Sequence, residues 1–141
     1  MSIAEIIEAL EKAAGPSREI DEAIALTVLG MRKENRLAAY PGERPVWEFY
    51  DGTNGGSMEV IVDRFTGSVD AAMRLLNRKF PGWRICFEAV DGIAYDLFIL
   101  GPLYRDDYPE RESSPPIAGK PVAIALVLAT LKALQAKEPT P

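Results

Sequence analysis

The tightest constraint on this chain is one dipeptide, Asp91-Gly92, set between two apolar runs, Trp83 to Val90 and Ile93 to Leu100. An Asp-Gly loop is a preferred type I′ hairpin turn, because both residues can take positive φ. Such a turn fixes the register and places Val90 opposite Ile93. Side chains alternate across a strand. One face would therefore carry Trp83, Ile85, Phe87, Ala89, Ala94, Phe98 and Leu100, together with Asp96. The other would carry Arg84, Cys86, Glu88, Val90, Ile93, Tyr95, Leu97 and Ile99. Both faces are largely apolar. An antiparallel sheet with one wet face shows a cleaner polar side, so the pattern predicts layers on both sides of the sheet.

The rest of the chain supplies those layers. Ser2-Ile3-Ala4-Glu5 is a capping box, and Ile3, Ile6, Ile7 and Leu10 follow at helical spacing. Gly15-Pro16 predicts the stop, with Gly15 in the left-handed conformation. Ser17 caps a second helix to about Leu29, with Glu19, Asp21 and Glu22 in the first turn, where the dipole favours negative charge. Its expected apolar face is Ile20, Ala23, Ile24, Thr27 and Val28, and Gly30 ends it. Residues Arg32 to Arg36 read as a polar connection. Val46 to Tyr50 and Met58 to Val62 read as the strands of a first hairpin around a Gly-rich loop.

The stretch from Phe65 to Trp83 reads as a central helix. Ser68 is its N-cap, Asp70 sits in the first turn, and Arg74, Arg78 and Lys79 load the negative end. Its expected stripe is Val69, Ala72, Met73, Leu76 and Phe80. After the second hairpin comes a long loop, 101–119. Pro121 suits the first position of a last helix. That helix, Val122 onward, is apolar nearly all round and should be buried on most sides. The tail, 138–141, should fray.

These elements predict one domain over residues 1–141. Its fold class is α+β: an α/β/α sandwich with a mainly antiparallel sheet built from two β-hairpins, in the order ααββαββα.

Composition removes several kinds of chemistry. The 141 residues include no histidine and one cysteine, Cys86. A Ser-His-Asp triad, a Cys-His pair and His-ligated metals are excluded. A single cysteine forms no intrachain disulfide. The net charge of −5 disfavours non-specific binding to a phosphate backbone. The longest apolar run, Pro121 to Leu131, is shorter than the roughly 20 residues needed to span a bilayer.

Three stretches together resemble the phage ABA sandwich domain, a family of small phage and prophage proteins. They are Gly15-Pro16-Ser17-Arg18-Glu19-Ile20-Asp21 with Ile24, Phe65-Thr66-Gly67-Ser68-Val69-Asp70-Ala71-Ala72 running to Gly82-Trp83, and the Ala-rich helix after Pro121. The family's last helix usually opens Thr-Pro-Ala, where this chain has Lys120-Pro121-Val122. The resemblance implies an α/β/α sandwich, brings no established activity, and transfers no catalytic residue. It sets the expected location as the cytoplasm of a bacterial host cell. The capped acidic helix at the start, unlike a basic leader, agrees with that expectation.

No catalytic residue, metal ligand or cofactor is assigned. Asp106, Asp107, Glu110 and Glu112 are acidic, but their spacing is not that of an EF-hand loop, and a solvated acidic loop accounts for them. Thr66-Gly67-Ser68 could receive an anion at a helix start, yet capping explains the same residues. Asp96 on an apolar face would be a general-base candidate if buried. The leading expectation is a non-enzymatic accessory protein that acts through contacts with a phage or bacterial protein or with its own copies. The alternative is a binder of a small, nucleotide-like molecule, beside the central helix, using Arg74, Arg78, Trp83, Tyr95 and Tyr104.

Overall fold

Ser2, Ser17 and Ser68 each open a helix, and each does so with its side-chain oxygen. Ser2 accepts from the Glu5 N–H while Glu5 reaches back, completing the capping box of α1 (Ile3–Lys12). Ser17 accepts from Ile20 N–H at the start of α2 (Arg18–Thr27), and Ser68 from Ala71 N–H at the start of α3 (Val69–Lys79). The computed structural model describes residues 1–36, 46–51, 58–60, 62–100 and 117–137. It adds strands β1 (Arg32–Arg36), β2 (Val46–Asp51), β3 (Met58–Val60), β4 (Arg84–Val90), β5 (Ile93–Leu100) and β6 (Lys120–Pro121), and a last helix, α4 (Val122–Lys137). The fold class is α+β, with antiparallel pairing throughout these strands.

Both hairpins form, but they lie in separate sheets. One sheet has the order β1-β2-β3 and the other β4-β5-β6. The polar connection expected at Arg32 to Arg36 is instead β1, which pairs with β2 from Arg32↔Tyr50 to Arg36↔Val46. Its charged sequence hides it from propensity, yet charges suit an edge strand because they discourage further pairing. The end of the expected loop 101–119 also joins a sheet. Ile117 exchanges hydrogen bonds with Leu97 at 2.9 and 2.8 Å, and Gly119 N–H donates to the Ala94 carbonyl at 3.0 Å. The remainder of that loop, 101–116, and the tail, 138–141, lie outside the described residues.

Helix α4, rather than the α3 expected from the sequence, is the centre of the molecule. Every residue from Ala123 to Leu131 is buried, as is Ala133. It packs against α3, α1 and β5, while α2 packs on α1. A helix apolar all round can be buried on all sides. Its one buried hydroxyl, Thr130, donates to the Leu126 carbonyl at 2.8 Å. Pro121 stands one residue earlier than expected, in β6 opposite Ile93.

Several local expectations are corrected. α1 stops because Ala13 is extended (φ −73°, ψ 133°), and Gly15 keeps a negative φ. Lys120 closes that end by donating to the carbonyls of Glu11 and, at 3.1 Å, Ala13. A cation there matches the negative helix terminus. The buried face of α3 is Ala71, Ala72, Leu75 and Leu76, so Val69, 45 % exposed, is not in the stripe. The adjacent leucines set the face. In α2 Ile20, Ile24 and Val28 are buried as expected, while Asp21 and Ala25 take the buried places expected of Ala23 and Thr27.

The β4–β5 hairpin turns at Asp91 (φ 52°) and Gly92 (φ 79°), and pairs Val90 with Ile93 as expected. The register then slips. Glu88 is opposite Tyr95, but Cys86 is opposite Phe98. One residue of β4 faces two of β5, Asp96 and Leu97. Asp96 has φ 52°. This is a β-bulge of the type whose first residue is left-handed. The extra residue reverses the alternation. Leu97 and Ile99 join Ala94 on the buried face, and Asp96 is exposed. The general-base expectation for Asp96 as a buried carboxylate is therefore overturned.

Helix α4 covers the inner face of this sheet through β5. The outer face holds Cys86, Val90, Ile93, Tyr95 and Phe98. Val90 is 59 % and Tyr95 44 % exposed. Of the layers expected on both sides, the described residues supply the inner one. Among the described residues, no helix is long and apolar enough to cross a membrane.

Candidate functional site

Two stretches 45 residues apart in the chain meet at one buried carboxylate. Asp21 is 1 % exposed. Its Oδ1 accepts from Thr66 N–H and from the Thr66 hydroxyl, both at 2.8 Å. Its Oδ2 accepts from Arg18 Nη1 at 3.3 Å. Ser17 N–H in turn donates to Thr66 Oγ1 at 2.8 Å. Thr66, also buried, has its donors and its acceptor engaged within the fold. A Cβ on Gly67 would lie 3.2 Å from Pro16, so the two segments are also closely packed. A buried carboxylate needs this number of donors to offset lost hydration.

Beside this contact lies a run of open clefts. One of about 320 Å³ is lined by Arg18, Asp63, Arg64, Ser68 and Arg74 among others. A second of about 280 Å³ shares Arg18 and Arg64 with it. A third of about 190 Å³ shares Asp63 and Arg74 and adds Leu29, Phe65, Leu75 and Arg78. Most of the positive charge is engaged. Arg74 grips Asp63 with two bonds, at 3.3 and 3.2 Å. Arg18 also donates to the carbonyls of Val62 and Asp63.

The residues expected to form a ligand site each have their own neighbours in the structure. Arg74 and Arg78 share the smallest cleft. Trp83 instead packs on Phe80 at 4.6 Å between ring centroids, with Lys137 Nζ over both rings. Tyr95 stands on the outer face of the β4–β5 hairpin, opposite Glu88. Tyr104, Asp106, Asp107, Glu110 and Glu112 lie outside the described residues. Among the described residues, no group of three His, Cys, Asp or Glu side chains is placed to hold a metal ion.

The Asp21–Thr66 contact leaves one signal in the sequence. Asp21 falls at helical spacing with Ala25 and Val28, a carboxylate on an apolar stripe. The chain matches no family model, no curated protein and no solved structure at significant similarity.

Proposed function

We propose that this chain is a non-enzymatic accessory protein that works through protein–protein contact, including contact between its own copies. One observation carries the reading: the outer face of the β4–β5 hairpin exposes Val90 and Tyr95, beside the half-buried Cys86, Ile93 and Phe98. Contiguous exposed apolar surface marks interaction sites more often than it marks idle surface. The phage or prophage character rests on the three stretches that resemble the phage ABA sandwich domain, two of which meet at Asp21 and Thr66. Location in the cytoplasm of a bacterial host follows from the same resemblance. Multi-angle light scattering tests the contact reading. Self-association rising with concentration supports it, and a monomer throughout removes self-association.

A second reading has one observation in its favour. The adjoining clefts gather Arg18, Arg64 and Arg74 beside the start of α3. A small anionic molecule of nucleotide type would suit that charge. A thermal-shift series with nucleoside phosphates tests it. A ligand at 100 times its Kd adds about 2.7 kcal/mol, so a flat series would remove this reading.

A further inference from the structure

Resting on the protein-contact reading, we infer that the partner is a second copy of this chain, and that the two join edge to edge through antiparallel β4 strands centred on Cys86. Strand β4 is the outer strand of its sheet, paired with β5 alone among the described residues. Its seven residues, Arg84-Ile85-Cys86-Phe87-Glu88-Ala89-Val90, contain no proline and no lysine, and the bulge in this hairpin lies on β5. Proteins normally block such an edge with charge, proline, brevity or a covering element. The other edges here are blocked in those ways. β1 is Arg-Lys-Glu-Asn-Arg, β3 has three residues, and β6 has two, one of them Pro121. Among the described residues the least blocked edge is β4, with two charges in seven residues and its last four residues exposed.

The sequence of β4 also selects a register. A two-fold axis through Cys86 sets Arg84 opposite Glu88 of the second copy, and Glu88 opposite its Arg84. Directly opposed residues share a face, so both charge pairs flank Cys86 on the outer face. On the inner face the same register sets Ile85 opposite Phe87, covering a ring that is 43 % exposed in one copy. Moving the axis to Phe87 sets Cys86 against Glu88, and moving it to Glu88 opposes like charges. The closed two-fold arrangement limits assembly to a dimer. The two Cys86 Cα atoms would lie about 4.5–5.5 Å apart, within the range a disulfide spans.

The test uses the full chain in sedimentation equilibrium. The wild type is expected to dimerise. Arg84→Glu and Glu88→Arg should each weaken the dimer about tenfold or more, since each turns both pairs repulsive. An equimolar mixture of the two variants should recover a heterodimer, and the double exchange should dimerise like the wild type. Diamide, which accepts two electrons and two protons from a thiol pair, should link the wild-type dimer through Cys86, while Cys86→Ser remains a non-covalent dimer. Single variants that dimerise normally, or a mixture that stays monomeric, would overturn the β4 register. If the wild type is nevertheless dimeric, the protein-contact reading survives with another surface. A wild type monomeric at every concentration would overturn the β4 pairing and remove self-association from the protein-contact reading.

Discussion

Thr66 gives both its backbone N–H and its hydroxyl to the same oxygen of Asp21, each at 2.8 Å. This ties the first turn of α2 to the residues that lead into α3. Replacing Thr66 with valine keeps the shape but removes one donor from a buried carboxylate. We expect a loss of about 1–3 kcal/mol. Asp21→Ala should cost at least as much, because it strips a partner from Thr66 N–H and Arg18 together. Chemical denaturation of both single variants and the double variant checks this. Strong non-additivity is expected, since the residues touch.

Asp96 supplies a sharper test of the bulge. In a regular strand, Asp96→Val would gain from β-propensity. At φ 52° a β-branched residue is strained, and we expect a loss of about 1–2 kcal/mol. Asp96→Gly should stay within about 1 kcal/mol of the parent. A stabilised valine variant, measured by urea unfolding, would show that the strand runs without the bulge.

The position of the α3 face can be read from two truncations. Leu75 is 1 % exposed and Val69 45 %. Leu75→Ala should cost about 3 kcal/mol, and Val69→Ala less than about 0.5 kcal/mol. Comparable costs at both sites would place the face where the sequence alone suggested it.

Glu8 gives a prediction about pH. The hydrogen bond from Lys12, followed by the charge of Lys12, holds the Glu8 carboxyl below its ordinary value. A depressed carboxyl contributes stability that is present above its unfolded value and is lost as pH falls through its folded value. Both side chains are exposed, so the contribution is screened and small. Lys12→Met should move the Glu8 titration upward, followed by NMR, while leaving the melting temperature at neutral pH almost unchanged.

What could be read from the sequence was local. Ser2, Ser17 and Ser68 declare their helices by hydrogen-bond chemistry within three residues. Asp91-Gly92 declares its turn through the positive φ that both residues adopt. The burial of α4 followed from its all-round apolar surface. What could not be read depends on partners distant in sequence. β1 is a strand because β2 pairs with it, against the preference of its own charges. The bulge at Asp96 shifts the faces of β5 by one residue, a change that periodicity cannot show until the register is known. The surroundings of the site residues also depend on other elements: Trp83 packs on Phe80, Tyr95 stands opposite Glu88 and Arg74 lines a cleft with Asp63. Alternation and helical spacing say which residues share a face of one element, not which elements meet.

The most direct measurement is amide hydrogen exchange of the full chain at low and high protein concentration. Among the described residues, amides of β4 that point away from β5 have no partner strand in one copy, and they would acquire one in the pair. We expect residues 84–90 to gain protection as concentration rises, with α1 and the buried core of α4 unchanged. Exchange in β4 that is fast and independent of concentration would contradict edge-to-edge association.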